Sequence, residues 1–144
     1  MKNYLGYFEC KLDAKGRLMI PARFRHLVSS DTGGVYVISM GKERCLNLFS
    51  IKEWDEVILS KLHELPPGPE KRKYIRFFST KSLTLNIDKA GRIAIPAHFL
   101  EAIGNPKTVV VVGILNYMEI WAPEDYNKAQ QEVDEAFIEG DWEY

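Results

Sequence analysis

Short runs of apolar residues, separated by turn-forming polar residues, predict that this chain is built mostly from β-strands. Alternating, β-branched or aromatic composition typical of strands is found in four segments of the first half: Tyr7–Leu12, Arg17–Ile20, Val35–Met40 and Cys45–Phe49. The second half contains four comparable segments: Lys81–Ile87, Arg92–Ile95, Lys107–Val112 and Tyr117–Trp121. We therefore expect eight short strands, four in each half and in the same order.

A stretch with helical periodicity follows the last predicted strand of each half. Ser50 and Glu53 have the spacing of a capping box, which predicts a helix beginning at Ser50. Its apolar face is predicted to hold Ile51, Trp54, Ile58, Leu62 and Leu65. The proline-rich run 65–69 is predicted to end this helix and to link the halves. A second helix is predicted to begin at Pro123. Its apolar stripe is Tyr126, Ala129, Val133, Ala136 and Phe137. We expect this stripe to pack on its own subunit or on a neighbouring one.

The sequence also repeats itself at a nearly constant spacing. Residues 13–24 align with residues 88–99 at an offset of 75, and seven of the twelve positions are identical. The similarity continues with Val35–Ile38 against Val109–Val112, and with Leu46–Phe49 against Met118–Trp121 at an offset of 72. Such repetition indicates a duplicated structural unit. Because a unit of roughly 40 residues rarely buries enough surface to fold alone, we expect the halves to pack together with interleaved hairpins.

The predicted fold is mainly β with flanking helices, of the α+β class. A first β-rich unit is expected at residues 5–49, and a helix with the proline-rich linker at residues 50–75. A second β-rich unit is expected at residues 76–122, followed by a C-terminal helix and acidic tail at residues 123–144.

Charge is distributed unevenly, although the chain of 144 residues has a formal net charge of only −1. Residues 124–144 contain eight acidic residues and one lysine, which gives −7 and leaves +6 for the rest. Segment 70–92 contains seven basic and two acidic residues, which gives +5. The pattern fits a basic body with an acidic tail, and equally an ordinary solvated surface. The basic run 71–76 either contacts phosphates or forms a solubilising linker face, and we favour the second interpretation.

Each copy of the repeated motif predicts a tight turn. Asp13 can accept a hydrogen bond from the backbone two residues on, and Gly16 can adopt the positive φ that such a turn needs. Asp88 and Gly91 have the same places in the second copy.

An arginine follows each predicted turn, at the start of the next strand. Arginine can bind a guanine edge with two parallel hydrogen bonds, whereas lysine is better suited to phosphates. The candidate DNA-binding residues are Arg17, Lys15, Arg23, Arg25, Arg92 and Lys89. Asp13 and Asp88 are predicted to orient the arginines or to stabilise the turns. Alternatively, each Asp–Arg pair is only a salt bridge that holds its hairpin.

Enzyme chemistry is not indicated by the sequence. The three histidines are scattered and have no metal-ligand spacing to Cys10 or Cys45, and no glycine-rich phosphate loop or nucleophile elbow is present. Cys45 lies in a strand pattern and is expected in the core. No apolar run approaches the roughly 18 residues of a membrane helix, and the first residues have no signal-peptide core. We expect a cytoplasmic protein without cofactor, metal, membrane or small-molecule substrate.

The duplicated motif resembles that of the MraZ family of bacterial regulators, which have tandem SpoVT–AbrB domains. The match covers nearly the whole chain and rests on two motif copies: Asp13-x-x-x-Arg17 with Ile20-Pro21-Ala22-x-Phe24, and Asp88-x-x-x-Arg92 with Ile95-Pro96-Ala97-x-Phe99. The resemblance implies a swapped-hairpin β-barrel pseudo-dimer and a ring-shaped homo-oligomer.

The same resemblance implies a transcriptional regulator in the cytoplasm, associated with the nucleoid. Its partner would be double-stranded DNA carrying short repeated promoter boxes, upstream of a division and cell-wall gene cluster that includes its own gene. His98 and Leu100 stand where the first copy has Arg23 and Arg25, so the first copy is the better candidate for contacting DNA.

Two other functions fit the same residues. An antitoxin-like AbrB-family protein would bind DNA and neutralise a toxin, but antitoxins usually carry one unit and a disordered tail. An oligomeric interaction protein without a DNA role is the second alternative, and the charge distribution leaves it open.

Overall fold

All eight predicted strands are present in the computed structural model, which describes residues 3–28 and 33–140. The first half contains β1 (Tyr7–Lys11), β2 (Arg17–Met19), α1 (Ala22–Arg25), β3 (Val35–Met40), β4 (Cys45–Ser50), α2 (Ile51–Trp54) and α3 (Ser60–Glu64). Helix α4 (Pro69–Thr80) then leads into β5 (Ser82–Asn86), β6 (Arg92–Ala94), α5 (Ala97–Ala102), β7 (Thr108–Gly113), β8 (Met118–Trp121) and α6 (Pro123–Glu139). The last four residues of the predicted acidic tail, 141–144, lie outside the described residues.

The two halves exchange strands. Six strands form one antiparallel sheet in the order β1-β7-β8-β4-β3-β5, so the first strand of each half pairs with the third strand of the other. Strands β2 and β6 form a separate antiparallel pair. The prediction of a mainly β fold with flanking helices is therefore confirmed. Among the described residues these pairings leave β1 and β5 as sheet edges and do not close the barrel that the resemblance implies.

The pairings obey a pseudo-two-fold symmetry. Leu18 pairs with Ile93, which is its own equivalent 75 residues later. Asn47 likewise pairs with Glu119, its equivalent 72 residues later. Since each of these residues faces its own equivalent, the pseudo-axis passes through both pairs. The duplication seen in the sequence is thus a rotation that relates the two halves.

The predicted alignment of the third strands is wrong by one residue. Val37 pairs with Phe49, and Val110 pairs with Trp121, which is the equivalent of Phe49. Val37 therefore corresponds to Val110, at an offset of 73, whereas the sequence comparison matched it with Val111. Both strands are runs of apolar residues, so the sequence gives little to fix the register, and only the hydrogen-bonded partners decide it.

The segment between the halves is more helical than predicted. Ser50 and Glu53 form the predicted capping box, with the Ser50 amide donating to Glu53 Oε1 at 2.9 Å and the Glu53 amide donating to Ser50 Oγ at 3.2 Å. Residues Asp55–Leu59 between α2 and α3 are π-helical. The basic run that we interpreted as a linker is the beginning of α4, whose Phe78 ring lies 6.0 Å from that of Trp54. In the sequence, lysines and arginines surround Ile75 and Phe78, so the apolar face that these two residues form was not recognised as helical.

One main hydrophobic core joins the halves. It lies between the six-stranded sheet and the β2–β6 pair, and equivalent residues contribute from both motif copies: Leu18, Ile20, Phe24, Ile93, Ile95 and Phe99. Cys45 is buried as predicted, in a smaller cluster with Val110 and Trp121. In the described part of the chain, none of the helices has the length and apolar composition needed to cross a membrane.

Candidate nucleic-acid interface

Asp13 organises the turn between β1 and β2, which we call the first turn (residues 13–17). Its Oδ1 atom accepts hydrogen bonds from the backbone amides of Lys15 and Arg17, both at 2.9 Å. Its Oδ2 atom accepts one from Arg17 Nε at 2.6 Å. Gly16 has φ of +74°, as the turn requires. Asp13 therefore both stabilises the turn and fixes the direction of the Arg17 side chain.

The second turn (residues 88–92) repeats this geometry. Asp88 Oδ1 accepts from the amides of Ala90 and Arg92 at 2.9 Å, and Asp88 Oδ2 accepts from Arg92 Nε at 3.0 Å. Gly91 has φ of +85°. Two turns with the same internal hydrogen bonds, 75 residues apart, thus present two arginines in the same way.

The two turns are joined directly to each other. The Ile20 amide donates to the carbonyl of Gly91 at 3.0 Å, and the Ile95 amide donates to the carbonyl of Gly16 at 3.0 Å. Because each turn binds the strand end of the other copy, the turns lie side by side at one end of the molecule. The site is therefore a single surface built from both halves.

The arginines lie on the outward face of the β2–β6 pair. Leu18 and Ile93 are completely buried, and alternate residues of a strand point to opposite faces. Arg17 and Arg92 consequently face away from the core, where both side chains are about one-third exposed. Arg17 lies opposite Ala94, so the two arginines are placed diagonally across the pair.

The carboxyl groups of both turns are held in their charged form. The backbone amide of Arg17 donates to Asp13, and this bond is the main reason that the Asp13 pKa lies below its ordinary value. The Arg92 amide lowers the pKa of Asp88 in the same way. The guanidinium groups of the same arginines add to both effects. Near neutral pH each turn therefore contains a carboxylate paired with an arginine.

Arg25 packs against the second turn. Its Nε atom donates to the carbonyl of Ile20 at 2.9 Å, and a Cβ placed at Gly91 would lie only 2.7 Å from its Nη1 atom. At the equivalent position Leu100 packs over Gly16, where a Cβ would lie 3.1 Å from Cδ1. The two halves thus use a cation and an apolar side chain for the same contact, and this makes the surface electrostatically unequal.

The remaining sequence-predicted residues lie around the turns. Lys15 and Lys89 are exposed on the first and second turn, respectively. Arg23 is exposed on α1, which follows β2. The side chains of Arg17, Arg92 and Arg25 therefore contact the two turns directly. The side chains of the other three cations are exposed to solvent around the turns.

Lys107 is a residue of this surface that the sequence analysis missed. Its carbonyl accepts from the Leu12 amide at 3.0 Å, and with Lys11 and Asp13 it lines a shallow cavity of about 510 Å³. At the equivalent positions beside the second turn the chain has Asn86 and Gly34. No signal in the sequence could reveal Lys107, since it lies in the other half and reaches the first turn only through the exchanged strands.

The described residues contain no group of three or more histidine, cysteine or acidic side chains arranged to hold a metal ion. Cys10 and Cys45 are free thiols, and burial raises the pKa of Cys45 to about 12.

Comparison with known proteins gives the same family across both halves. A family model described as "MraZ protein, putative antitoxin-like" matches residues 4–73 and 78–142. The chain is 32% identical over 135 residues to a protein of Natranaerobius thermophilus, with 93% of this chain and 91% of that protein covered. It is 36% identical over 136 residues to a protein of Thermoanaerobacter pseudethanolicus, covering 94% and 92% of the two chains.

A third relative, from Caldanaerobacter subterraneus subsp. tengcongensis, is 35% identical over 136 residues, covering 94% and 92% of the two chains. All three relatives are named "Transcriptional regulator MraZ". The resemblance found in the duplicated motif is thereby confirmed, and the chain belongs to the MraZ family.

Proposed function

We propose that this protein is a transcriptional regulator that binds double-stranded DNA through the surface formed by the two turns. The observation that carries the proposal is the pair of outward arginines, Arg17 and Arg92, each held by an aspartate of its own turn. Preorganised side chains lose less conformational freedom on binding, so they favour specific contacts. The names of the relatives support the same function.

Arg17 is the residue that we assign to base recognition. Asp13 accepts a hydrogen bond from its Nε atom, and this contact does not use the two terminal nitrogens of the guanidinium. A guanidinium held in this way can donate two parallel hydrogen bonds to a guanine edge in the major groove. Arg92 has the same internal arrangement and is the second candidate for a base contact.

The lysines and the remaining arginines are assigned to the DNA backbone. Lys15 and Lys89 are exposed on the turns, and Arg23 is exposed on the helix beside them. Lys11 and Lys107 add positive charge beside the first turn alone. Phosphate contacts position a protein without reading sequence, and the first turn has more residues for this purpose.

The operator is proposed to consist of short repeated promoter boxes upstream of a division and cell-wall gene cluster that includes the protein's own gene. Recognition of repeated boxes requires several copies of the DNA-binding surface, and a ring-shaped homo-oligomer would provide them. We propose that this ring acts in the cytoplasm, on the nucleoid. Several weak contacts on one assembly then combine through effective concentration. The family resemblance supports this part of the proposal.

A footprint on the DNA upstream of the protein's own gene tests this function. We expect protection of evenly spaced short boxes, with affinity that falls steeply between roughly 50 and 200 mM salt because phosphate contacts release counterions. A scrambled duplex of the same length is the control. Equal protection of both duplexes, or binding that is insensitive to salt, contradicts the proposal.

A further inference from the structure

A cavity of about 420 Å³ lies over the pseudo-two-fold axis, on the face of the six-stranded sheet that points away from the main core. Asn47 and Glu119, which pair with each other on that axis, both line it. Their neighbours Leu46, Leu48 and Ile120 belong to the main core, and alternate residues of a strand point to opposite faces. The duplicated strands therefore supply an amide and a carboxylate, at equivalent positions, to the floor of this axis cavity.

Aromatic rings form the walls of the axis cavity. The Phe49 and Tyr117 rings stack with 4.8 Å between their centroids, and both line the cavity. Phe77 and Phe78 of α4 add two more rings, 5.2 Å apart in an edge-to-face contact. Phe77 remains 40% exposed although its side chain is large and apolar. A ligand with an apolar body would cover this ring.

Helix α4 gives the axis cavity a wall that the other half does not repeat among the described residues. The equivalent helix would precede β1, but residues 3–6, which are the described residues before β1, contain no helix. Val57 and Ile58 of the π-helical turn complete the wall. The resulting volume lies in the range of roughly 300–1,000 Å³ that is typical of small-molecule sites.

The Glu119 carboxylate is half-buried and has few partners. Its Oε1 atom accepts a hydrogen bond from the Trp121 indole N–H at 2.9 Å. No lysine, arginine or histidine of the described residues has a nitrogen within 4.0 Å of it. Burial raises the pKa of Glu119, and the Trp121 N–H opposes that rise. Because a carboxylate withdrawn from water is costly unless it is paired, Glu119 favours a ligand with a positive charge.

Positive charge lines the same cavity. Lys42 and Lys61 are exposed at its rim, and so is Glu43. The lining therefore contains two lysines and two acids, and within residues 3–28 and 33–140 none of these four side chains forms an ion pair. A zwitterion is complementary to such a lining, because each of its charges can meet an opposite charge.

We propose that the axis cavity binds an apolar α-amino acid. The ammonium group of the ligand donates to Glu119 and to the amide oxygen of Asn47 on the floor. Its carboxylate pairs with Lys61, and its side chain packs on Phe49 and Phe77. The main core separates this site from the two turns, so the protein would bind a free amino acid and DNA on opposite sides.

Isothermal titration calorimetry of the full chain with matched probes tests the inference. L-phenylalanine, 2-phenylethylamine and phenylacetate share a phenyl ring and differ in their charged groups, and L-leucine is a second apolar amino acid. We expect L-phenylalanine to bind more tightly than 2-phenylethylamine or phenylacetate, because each of these lacks one of the two charges. The inference is overturned if neither amino acid binds at millimolar concentration, or if the amine or phenylacetate binds as tightly as L-phenylalanine.

Glu119→Gln tests whether the ligand lies in the axis cavity. Glutamine keeps an oxygen that can accept from Trp121, so the variant retains that hydrogen bond. We expect the affinity for L-phenylalanine to fall by roughly tenfold or more, because the ammonium group loses its charged acceptor. Glu132→Gln is the matched control, since Glu132 is exposed on α6 and does not line the cavity. Circular dichroism melting establishes that both variants are folded, and unchanged binding by folded Glu119→Gln overturns the inference.

Lys61→Gln separates the two charged contacts. It should weaken the binding of L-phenylalanine by roughly twofold to fivefold, since an exposed ion pair is screened by water, and should not weaken that of 2-phenylethylamine. Lys52→Gln, on the exposed side of α2, is the matched control. Equal losses for both probes in Lys61→Gln would overturn the pairing of Lys61 with the carboxylate. None of these titrations uses DNA, so a protein that binds the amino acid but not DNA contradicts the proposed function alone.

Discussion

The Nη1 atom of Arg92 lies 3.7 Å from the Oδ2 atom of Asp13, so the arginine of the second turn reaches the carboxylate of the first. Asp13 thus has ion pairs with Arg17 and Arg92, whereas the ion pair of Asp88 among the described residues is with Arg92. Removing the charge of Asp13 should therefore disturb both arginines. We expect Asp13→Asn to weaken specific DNA binding more than Asp88→Asn.

Fluorescence anisotropy with a duplex from upstream of the protein's own gene, at one fixed salt concentration, measures this difference. Asparagine keeps an oxygen that can accept from the backbone amides, so either variant retains the acceptor that its turn needs. Equal losses of affinity in the two variants would show that the contact between Arg92 and Asp13 has no role in binding.

Arg17 and Lys15 should differ in the kind of binding they support. Arg17→Ala is expected to lower the affinity for the specific duplex by roughly tenfold to a hundredfold, since a good bidentate base contact contributes about 1–3 kcal/mol of discrimination. Lys15→Ala should lower the affinity for specific and scrambled duplexes alike and reduce the salt slope by about 1.

Titrations at several salt concentrations separate these two outcomes, and light scattering reports whether the assembly is intact. If Arg17→Ala breaks the oligomer, or lowers affinity for both duplexes equally, its role is structural and the base contact is excluded.

Leu18 should be far more important for stability than its neighbour Met19. Leu18 is fully buried at the pseudo-two-fold axis against Ile93, while Met19 is 42% exposed on the opposite face of the strand. We expect Leu18→Ala to lower the free energy of unfolding by about 2–5 kcal/mol, as for other leucines removed from a close-packed core. Met19→Ala should change it by less than about 0.5 kcal/mol. Urea denaturation of both variants measures the difference, and similar values would show that the β2–β6 pair is not part of the folded core.

The strands could be predicted because each is a short run of alternating or β-branched residues. The turns could be predicted because Asp and Gly have specific roles in turn backbones. The order of strands was not predictable in detail. Strand β1 pairs with β7, about 100 residues away, and nothing local in residues 7–11 encodes that partner. The contact of Arg25 with Gly91 and the position of Lys107 depend on the same exchange of strands. The sequence therefore indicates which residues to consider, while the long-range pairing decides which of them meet.

Helix α4 was missed for a different reason. Its apolar positions, including Ile75 and Phe78, have helical spacing, but the dense basic residues between them resemble a solvated linker. Pro69 lies in the first turn of the helix, where proline is a normal start signal. Because other prolines precede it, we interpreted it as part of a continuing loop. Here tertiary packing against Trp54 supports a helix that composition alone did not indicate.

Acid should weaken the two turns in a defined pH range. The pKa of Asp13 and that of Asp88 are lowered in the folded protein, mainly by the amides of Arg17 and Arg92. A carboxyl whose pKa is lower when folded contributes stability that is fully present above its unfolded pKa, about 3.9, and is lost as pH falls through the folded value. The melting temperature of the wild type should therefore exceed that of Asp13→Asn/Asp88→Asn at pH 7, and the gap should narrow below about pH 4.

Calorimetry at constant ionic strength measures this gap in melting temperature, with Glu101→Gln/Glu135→Gln as the control for the loss of two charges. A gap between wild type and Asp13→Asn/Asp88→Asn that is unchanged down to about pH 3 would mean that these carboxylates do not stabilise the turns by ionisation.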